Sequence, residues 1–210
     1  RQDKEKRAMH KNNMAKITGT VITEPQYEHE TAGELFYRTI LTTNRKSGYA
    51  DEIPVIFRKG MVDENKIYYG ANISVEGSFC SVNIPAGEKR KLILFLFAEQ
   101  ISDAAQEDDN YLFLHGFICR QPVYRKTPSG RQITDLLVAV NRPGGKSDYI
   151  PCICWAGNAR YAKNLAVGSR IELTGRIQSR EYVKKLDEEQ QETRVAYEVS
   201  ASRIYMIEEG

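Results

Sequence analysis

Apolar side chains recur at every second position along much of the chain. In "RQITDLLVAV" (131–140) Leu136, Val138 and Val140 share one parity, and in "YIPCICW" (149–155) Ile150, Cys152 and Cys154 do, which reads as two β-strands with that face on a core. "LTGRIQSREYVKK" (173–185) reads the same way. Leu173, Gly175, Ile177 and Val183 share one face; Thr174, Arg176, Gln178, Arg180, Tyr182 and Lys184 share the other. The pattern predicts Leu173, Ile177 and Val183 inward and a cationic, aromatic outer wall. "YLFL" from Tyr111 is apolar on both faces and suits a strand covered on both sides, for instance by another subunit. The longest apolar run, 92–98, is strand-sized and falls short of the roughly 20 residues of a helical membrane span.

The whole pattern occurs twice. "GTVITEPQYEHETAGELFYRTILTTNRKSGYADEIPVIF" starts at Gly19 and "GFICRQPVYRKTPSGRQITDLLVAVNRPGGKSDYIPCIC" at Gly116. At a fixed offset Pro25 meets Pro122, Tyr27 meets Tyr124, Gly33 meets Gly130, and Arg45 meets Arg142. One inserted residue later "GANISVEGSF" at Gly70 matches "GSRIELTGRI" at Gly168, and "AEQI" (98–101) matches "ASRI" (201–204). So many coincidences in order define two copies of one fold. The reading divides the chain into a mobile charged arm at 1–13, a first copy at 14–101, an acidic linker at 102–110 and a second copy at 111–207.

Within a copy the expected order is three strands, a short helix and two more strands. In the second copy "TPSG" (127–130) turns the first strand back. "GNARYAKNLAVG" supplies the helix, with Asn158 as its cap and Gly168 as its end. "KLDEEQQET" makes a long charged loop before the last strand. That order is the OB-fold, a small Greek-key barrel of five strands. A β-sandwich needs about seven strands per unit, more than each copy provides. The fold class is therefore all-β, two tandem OB-folds, each with a short helix between strands 3 and 4.

Charge separates the copies. Residues 110–186 hold thirteen Lys or Arg against four acids (Asp135, Asp148, Glu172, Glu181), whereas 14–101 hold ten against eleven. A polyanion partner fits the second copy. The four cysteines form no CxxC pair and no histidine stands at a zinc-ligand spacing from them. Cys152 and Cys154 share one strand face and read as buried reduced thiols. Only His10, His29 and His115 exist, none beside a nucleophile or a carboxylate pair, and no glycine loop for phosphate appears. An enzyme, a metal site and a cofactor are not expected. The charged N-terminus has no apolar signal region, so secretion is not expected and a cytoplasmic location is, nucleoid-associated where the polyanion partner is DNA.

The second copy resembles the bacterial single-stranded DNA-binding protein (SSB) family, in a version with tandem OB-folds. The resemblance rests on "GFICRQPVYRKTPSGR", "DYIPCICWAGNA" and "GSRIELTGRIQSREY", within 111–207. It implies single-stranded DNA as partner. It also places Tyr149, Trp155 and Tyr182 at the family's aromatic positions. "NRPGG" lacks the aromatic that many members carry after the second strand. The family's acidic, Phe-ended tail for recruiting replication or repair proteins is not found in "YMIEEG". Members with two OB-folds per chain reach four as dimers, so a homodimer is expected.

The residues support the same partner without the family. Rings stack on bases with little sequence preference, and Lys or Arg track phosphates. The candidate face comprises Tyr149, Trp155 and Tyr182 with Arg176, Arg180 and Lys184. Arg125, Lys126 and Arg131 bracket the first hairpin; Arg142 and Lys146 lie in the next loop. In the first copy Glu52, Arg58 and Ile84 stand at the three aromatic positions. Ser78, Val82, Glu28 and Glu34 stand where the second has Arg176, Arg180, Arg125 and Arg131. The expectation is that the second copy carries most of the affinity. Two other readings remain open at this point: a protein-interaction module that kept two OB frames, and a binder of single-stranded RNA.

Overall fold

Each alternating run forms a strand, and the strands join through backbone pairing into one sheet. The computed structural model describes residues 11–104 and 107–208. The first copy holds β1 (Asn13–Val21), β2 (Gln26–Thr31), β3 (Glu34–Asn44), β4 (Ala50–Arg58), β5 (Asn72–Ala86) and β6 (Lys89–Asp103). The second holds β7 (Asp109–Ile118), β8 (Val123–Lys126), β9 (Gln132–Asn141), β10 (Ser147–Trp155), α1 (Ala156–Ala162), β11 (Arg170–Lys185) and β12 (Gln191–Met206). The sheet runs β2-β3-β4-β6-β5-β1-β7-β11-β12-β10-β9-β8, with β1–β3 and β7–β9 pairings curling each half into a barrel. Both halves pair their third long strand with their last in parallel (β4–β6 and β10–β12). These are tandem OB-folds, with β2 and β8 as extra edge strands on the first hairpins.

The halves are related by an approximate dyad at the β1–β7 seam. Ala15 lies opposite Leu112, its own repeat equivalent, and Asn13↔Leu114 maps onto Ile17↔Asn110 under the repeat offset. One apolar core runs through both barrels, from Ile17, Leu41, Ile53 and Phe79 to Leu114, Val138, Ile150 and Ile177. Each barrel has a bulge in its last strand, at Glu99 of β6 opposite the Glu76–Gly77 step and at Ser202 of β12 opposite the Thr174–Gly175 step. A Cβ on Gly175 would lie 2.1 Å from the Ser200 carbonyl oxygen, and one on Gly77 would lie 1.9 Å from that of Phe97. Only glycine allows the last strand to cross so close.

Several expectations need correction. The first copy has no α-helix between its third and fourth long strands, only a 3-10 turn at Glu64–Lys66. In α1 the cap position is Trp155, with no side-chain cap bond; Asn158 lies inside and donates through Nδ2 to the Ser202 carbonyl at 3.1 Å. The helix stops at Ala162, and Gly168 (φ +89°) closes a later turn. The long charged loop shrinks to five residues, because Leu186 N–H bonds the Gln190 carbonyl and Asp187 Oδ1 accepts the N–H groups of Glu189 and Gln190. Val183 is exposed: beyond Arg180 the β11–β12 hairpin leaves the barrel and both its faces meet solvent. β6 and β7 extend to Asp103 and from Asp109 into the stretch read as a linker, whose residues 105–106 lie outside the described part. Of the arm, residues 1–10 lie outside it too, while Lys11 pairs with Glu99 at 2.6 Å and Asn13 opens β1.

Candidate nucleic-acid interface

Strand register assembles one continuous outer face on the second barrel. On β11, Arg176, Gln178, Arg180 and Tyr182 lie opposite Ser200, Glu198, Ala196 and Arg194 of β12. On β10, Tyr149, Pro151 and Trp155 alternate outward against the core residues Ile150, Cys152 and Cys154, while Ile153, on the outward parity, is buried. The residues of that parity pair with Ala139, Leu137, Asp135 and Ile133 of β9. The cationic face of β11 and the ring-bearing face of β10 therefore flank β12 on one side of the sheet.

A groove of about 480 Å³ runs along this face, lined by Arg131, Trp155, Arg176, Gln178, Ser179, Arg180 and Ser200, together with Arg45 and Tyr49 of the first copy. Arg131 sits over the Trp155 ring, 6.0 Å from guanidinium carbon to centroid. Arg180 lies 5.9 Å from the Tyr182 ring. Its Nε donates to Glu198 at 3.3 Å, and Gln178 donates to the same carboxylate oxygen at 2.8 Å. Arg176 is half-buried, and its Nε is buried without a hydrogen-bond partner. Burial lowers its pKa from the ordinary arginine value and the nearby Arg45 lowers it further, while Asp51 opposes them. A half-buried arginine beside another arginine, with one donor unpaired, suits an anion.

Of the expected residues, Trp155, Arg131, Arg176 and Arg180 meet in the groove. Tyr182 (38% exposed) and Tyr149 (40%) lie on the same face outside the groove lining. Arg125 is held by Asp135 at 2.8 Å. Lys126, Lys146 and Lys184 are exposed at the margins, Lys126 on β8 and Lys184 opposite Glu192 in the hairpin. Arg142 does not stand free. Its Nε donates to Asp148 at 2.7 Å, while Nη2 bonds the other oxygen of Asp148 and, at 3.2 Å, the Ser81 carbonyl. It is a clamp between the copies. Gln178 was placed on this face by parity without being counted as a candidate, and Ser200, Glu198, Arg45 and Tyr49 were not foreseen. The repeat held a signal for the last two, since Arg45 and Tyr49 occupy the loop positions of Arg142 and Lys146.

The same face of the first barrel has different chemistry. Ile56, Cys80 and Phe95 form a second apolar cluster with Phe36, Ile93 and Phe97, and Val82 and Ile84 lie exposed. An Arg58–Glu34 ion pair at 3.3 Å stands where the second copy has Trp155 and Arg131. Cys80, facing this cluster, has its thiol pKa pushed up to about 12 by burial. Among the described residues no group of three or more His, Cys, Asp or Glu could hold a metal, and no helix is long and apolar enough to cross a membrane.

Fold and face together define a tandem OB-fold protein with one cationic, aromatic barrel wall. Residues 109–207 match the single-strand binding protein family. A single-stranded DNA-binding protein of Halalkalibacterium halodurans is 36% identical over 80 residues, covering 35% of this chain and 48% of that protein. Single-stranded DNA-binding protein 1 of Lactococcus lactis subsp. lactis is 35% identical over 107 residues, 47% of this chain and 68% of that protein. The chain thus spans about half the length of the first of these relatives and two thirds of the second. Wild-type single-stranded DNA-binding protein from Thermus aquaticus has a similar fold, with a TM-score of 0.75 at 22% identity, covering 94% of each chain. The chain belongs to the single-strand binding protein family.

Proposed function

We propose that the chain binds single-stranded DNA without sequence preference, mainly through the outer face of the second barrel. The observation that carries this reading is the groove in which Trp155, Arg131, Arg176 and Arg180 converge. Trp155 and Tyr182 offer π-faces to bases, and Tyr149 extends the row by strand parity. Stacking of this kind contributes about 1–3 kcal/mol per base. Arg176 and Arg180 meet phosphates in the groove, and Arg131 bridges ring and phosphate. Lys126, Lys146 and Lys184, with the ion-paired Arg125, add charge at the margins, whereas Arg142 acts through the seam. The role is binding, without a catalytic step. A homodimer presenting four barrels, working in the cytoplasm, completes the proposal.

The chain contains one tryptophan, so its fluorescence reports on this face alone. Titration with oligo-dT, oligo-rU and duplex DNA at two salt concentrations should give quenching by oligo-dT that weakens steeply with salt, and little response to duplex. Absence of salt-sensitive quenching would favour the interaction module, and a clear preference for oligo-rU would favour RNA. Replacing Tyr149, Trp155 and Tyr182 together by Ala should nearly abolish binding of a labelled oligo-dT followed by anisotropy.

A further inference from the structure

The groove on the second barrel is completed by the first. The turn between β3 and β4 is closed by the Arg45 N–H donating to the Tyr49 carbonyl at 2.7 Å, with Gly48 (φ +84°) supplying the left-handed residue. That closure lays the Arg45 guanidinium over the Tyr49 ring, 4.5 Å from its centroid. Arg45 commits Nε and Nη2 to Asp51, at 2.7 and 2.6 Å. Asp51, fully buried, also accepts the Ser179 N–H of β11 at 3.0 Å, and the Glu52 N–H donates back to Ser179 Oγ at 3.0 Å. The turn is therefore fastened to β11 between Gln178 and Arg180, two residues of the groove wall. Tyr49 keeps half its surface exposed there.

We infer that Arg45 and Tyr49 of the first copy form one subsite with Arg176 and Arg180 of the second, so that a single strand crosses the seam between the barrels. The inference rests on the single-strand reading above. Tyr49 supplies a stacking ring at the seam end of the groove. Arg45 and Arg176 line the same groove and repel, and the nearby Asp51 carboxylate is already bound by Arg45 and Ser179. Both guanidinium groups line the groove, and Nη1 of Arg45 and Nη1 of Arg176 are uncommitted, an arrangement that suits a phosphate. The dyad does not repeat this subsite. At the reciprocal seam Arg142 and Asp148 clamp onto β5 in the same way, but Tyr49 is replaced by Lys146, Arg176 by Ser78 and Arg180 by Val82. The strand path is thus one-sided, leaving the second barrel toward the β3–β4 turn.

The experiment uses the full chain and labelled oligo-dT, comparing wild type with Tyr49→Ala, Tyr49→Phe and Trp155→Ala. Tyr49→Ala should lose affinity on the order of tenfold, Tyr49→Phe should keep it because the stacking ring remains, and melting temperatures should not change. If wild type binds and Trp155→Ala binds poorly but Tyr49→Ala matches wild type, the subsite is refuted and the groove reading stands. Equal losses in Tyr49→Ala and Tyr49→Phe refute the stacking role. A wild type that ignores oligo-dT overturns the groove reading, and this inference with it.

Discussion

The carboxylate of Asp148, on the second barrel, accepts the backbone N–H of Ser81, on the first, at 2.7 Å. Its repeat equivalent Asp51 accepts the N–H of Ser179 at 3.0 Å, so the two acids reach across the seam in opposite directions. Each also holds an arginine of its own copy, Arg142 or Arg45. Each is reinforced by a serine hydroxyl taking the next backbone N–H, from Tyr149 at 2.7 Å and from Glu52 at 3.0 Å. Edge pairing of β1 with β7 and these two clamps make the barrels one body.

Asp148→Ala should therefore cost more than an ordinary surface change. It leaves the Ser81 N–H without its acceptor and the Arg142 guanidinium with only the Ser81 carbonyl, at about 2–3 kcal/mol. Arg142 is about a third exposed, which keeps the loss below that of breaking a fully buried pair. Urea unfolding followed by circular dichroism should show a lower midpoint or a split into two transitions. An unchanged curve would remove the clamp from the account of stability.

Salt dependence separates groove arginines from clamp arginines. Neutralising a phosphate contact reduces the slope of log K against log salt by about one. Arg176→Gln and Arg180→Gln should each do so in oligo-dT titrations. Arg142→Gln should instead lower the melting temperature and leave the slope nearly intact, because its donors face Asp148 and Ser81. A slope change for Arg142→Gln as large as that for Arg176→Gln would return Arg142 to the DNA path.

Alternation in the chain already told inside from outside where the barrel is complete. Leu173 and Ile177 are fully buried, and Trp155 faces the opposite way from Cys154, as parity required. It failed for Val183, because parity cannot tell where a hairpin leaves the barrel and loses its core. The repeat disclosed two equivalent folds, but not their dyad, which depends on which strand edges meet. Arg142 looked like a free loop cation, although an acid six residues on, across a turn, captures it. Arg45 and Tyr49 went unrecognised because their importance arises from the neighbouring barrel.

Three of the four thiols should be inert in the folded protein. Burial raises the pKa of Cys80 and Cys154 to about 12 and that of Cys152 well above the usual thiol value, so little thiolate exists near pH 8. Cys119 is only half-buried, with its pKa also raised by burial. Mass spectrometry after brief alkylation should find Cys119 modified first, and the other three only in denaturant. Rapid labelling of Cys80 in native protein would mean that the apolar face of the first barrel opens.

His115 should make the protein acid-sensitive below neutral pH. It lies on β7 opposite Glu172, and Arg170 Nε–H donates to its Nε2 at 2.7 Å, which requires the neutral ring. Burial and then the Arg170 charge lower its pKa from 6.5, with Glu172 opposing. The folded state thus takes up this proton less readily than the unfolded chain. Its stabilising effect is complete above the unfolded pKa and is lost as pH falls through the lower folded value. The melting temperature of wild type should fall as pH drops from 7 into the acid range. His115→Gln should flatten that part of the profile, since Gln keeps an acceptor for Arg170 and does not titrate. If both proteins lose stability in parallel, the acid response lies in the carboxylates instead.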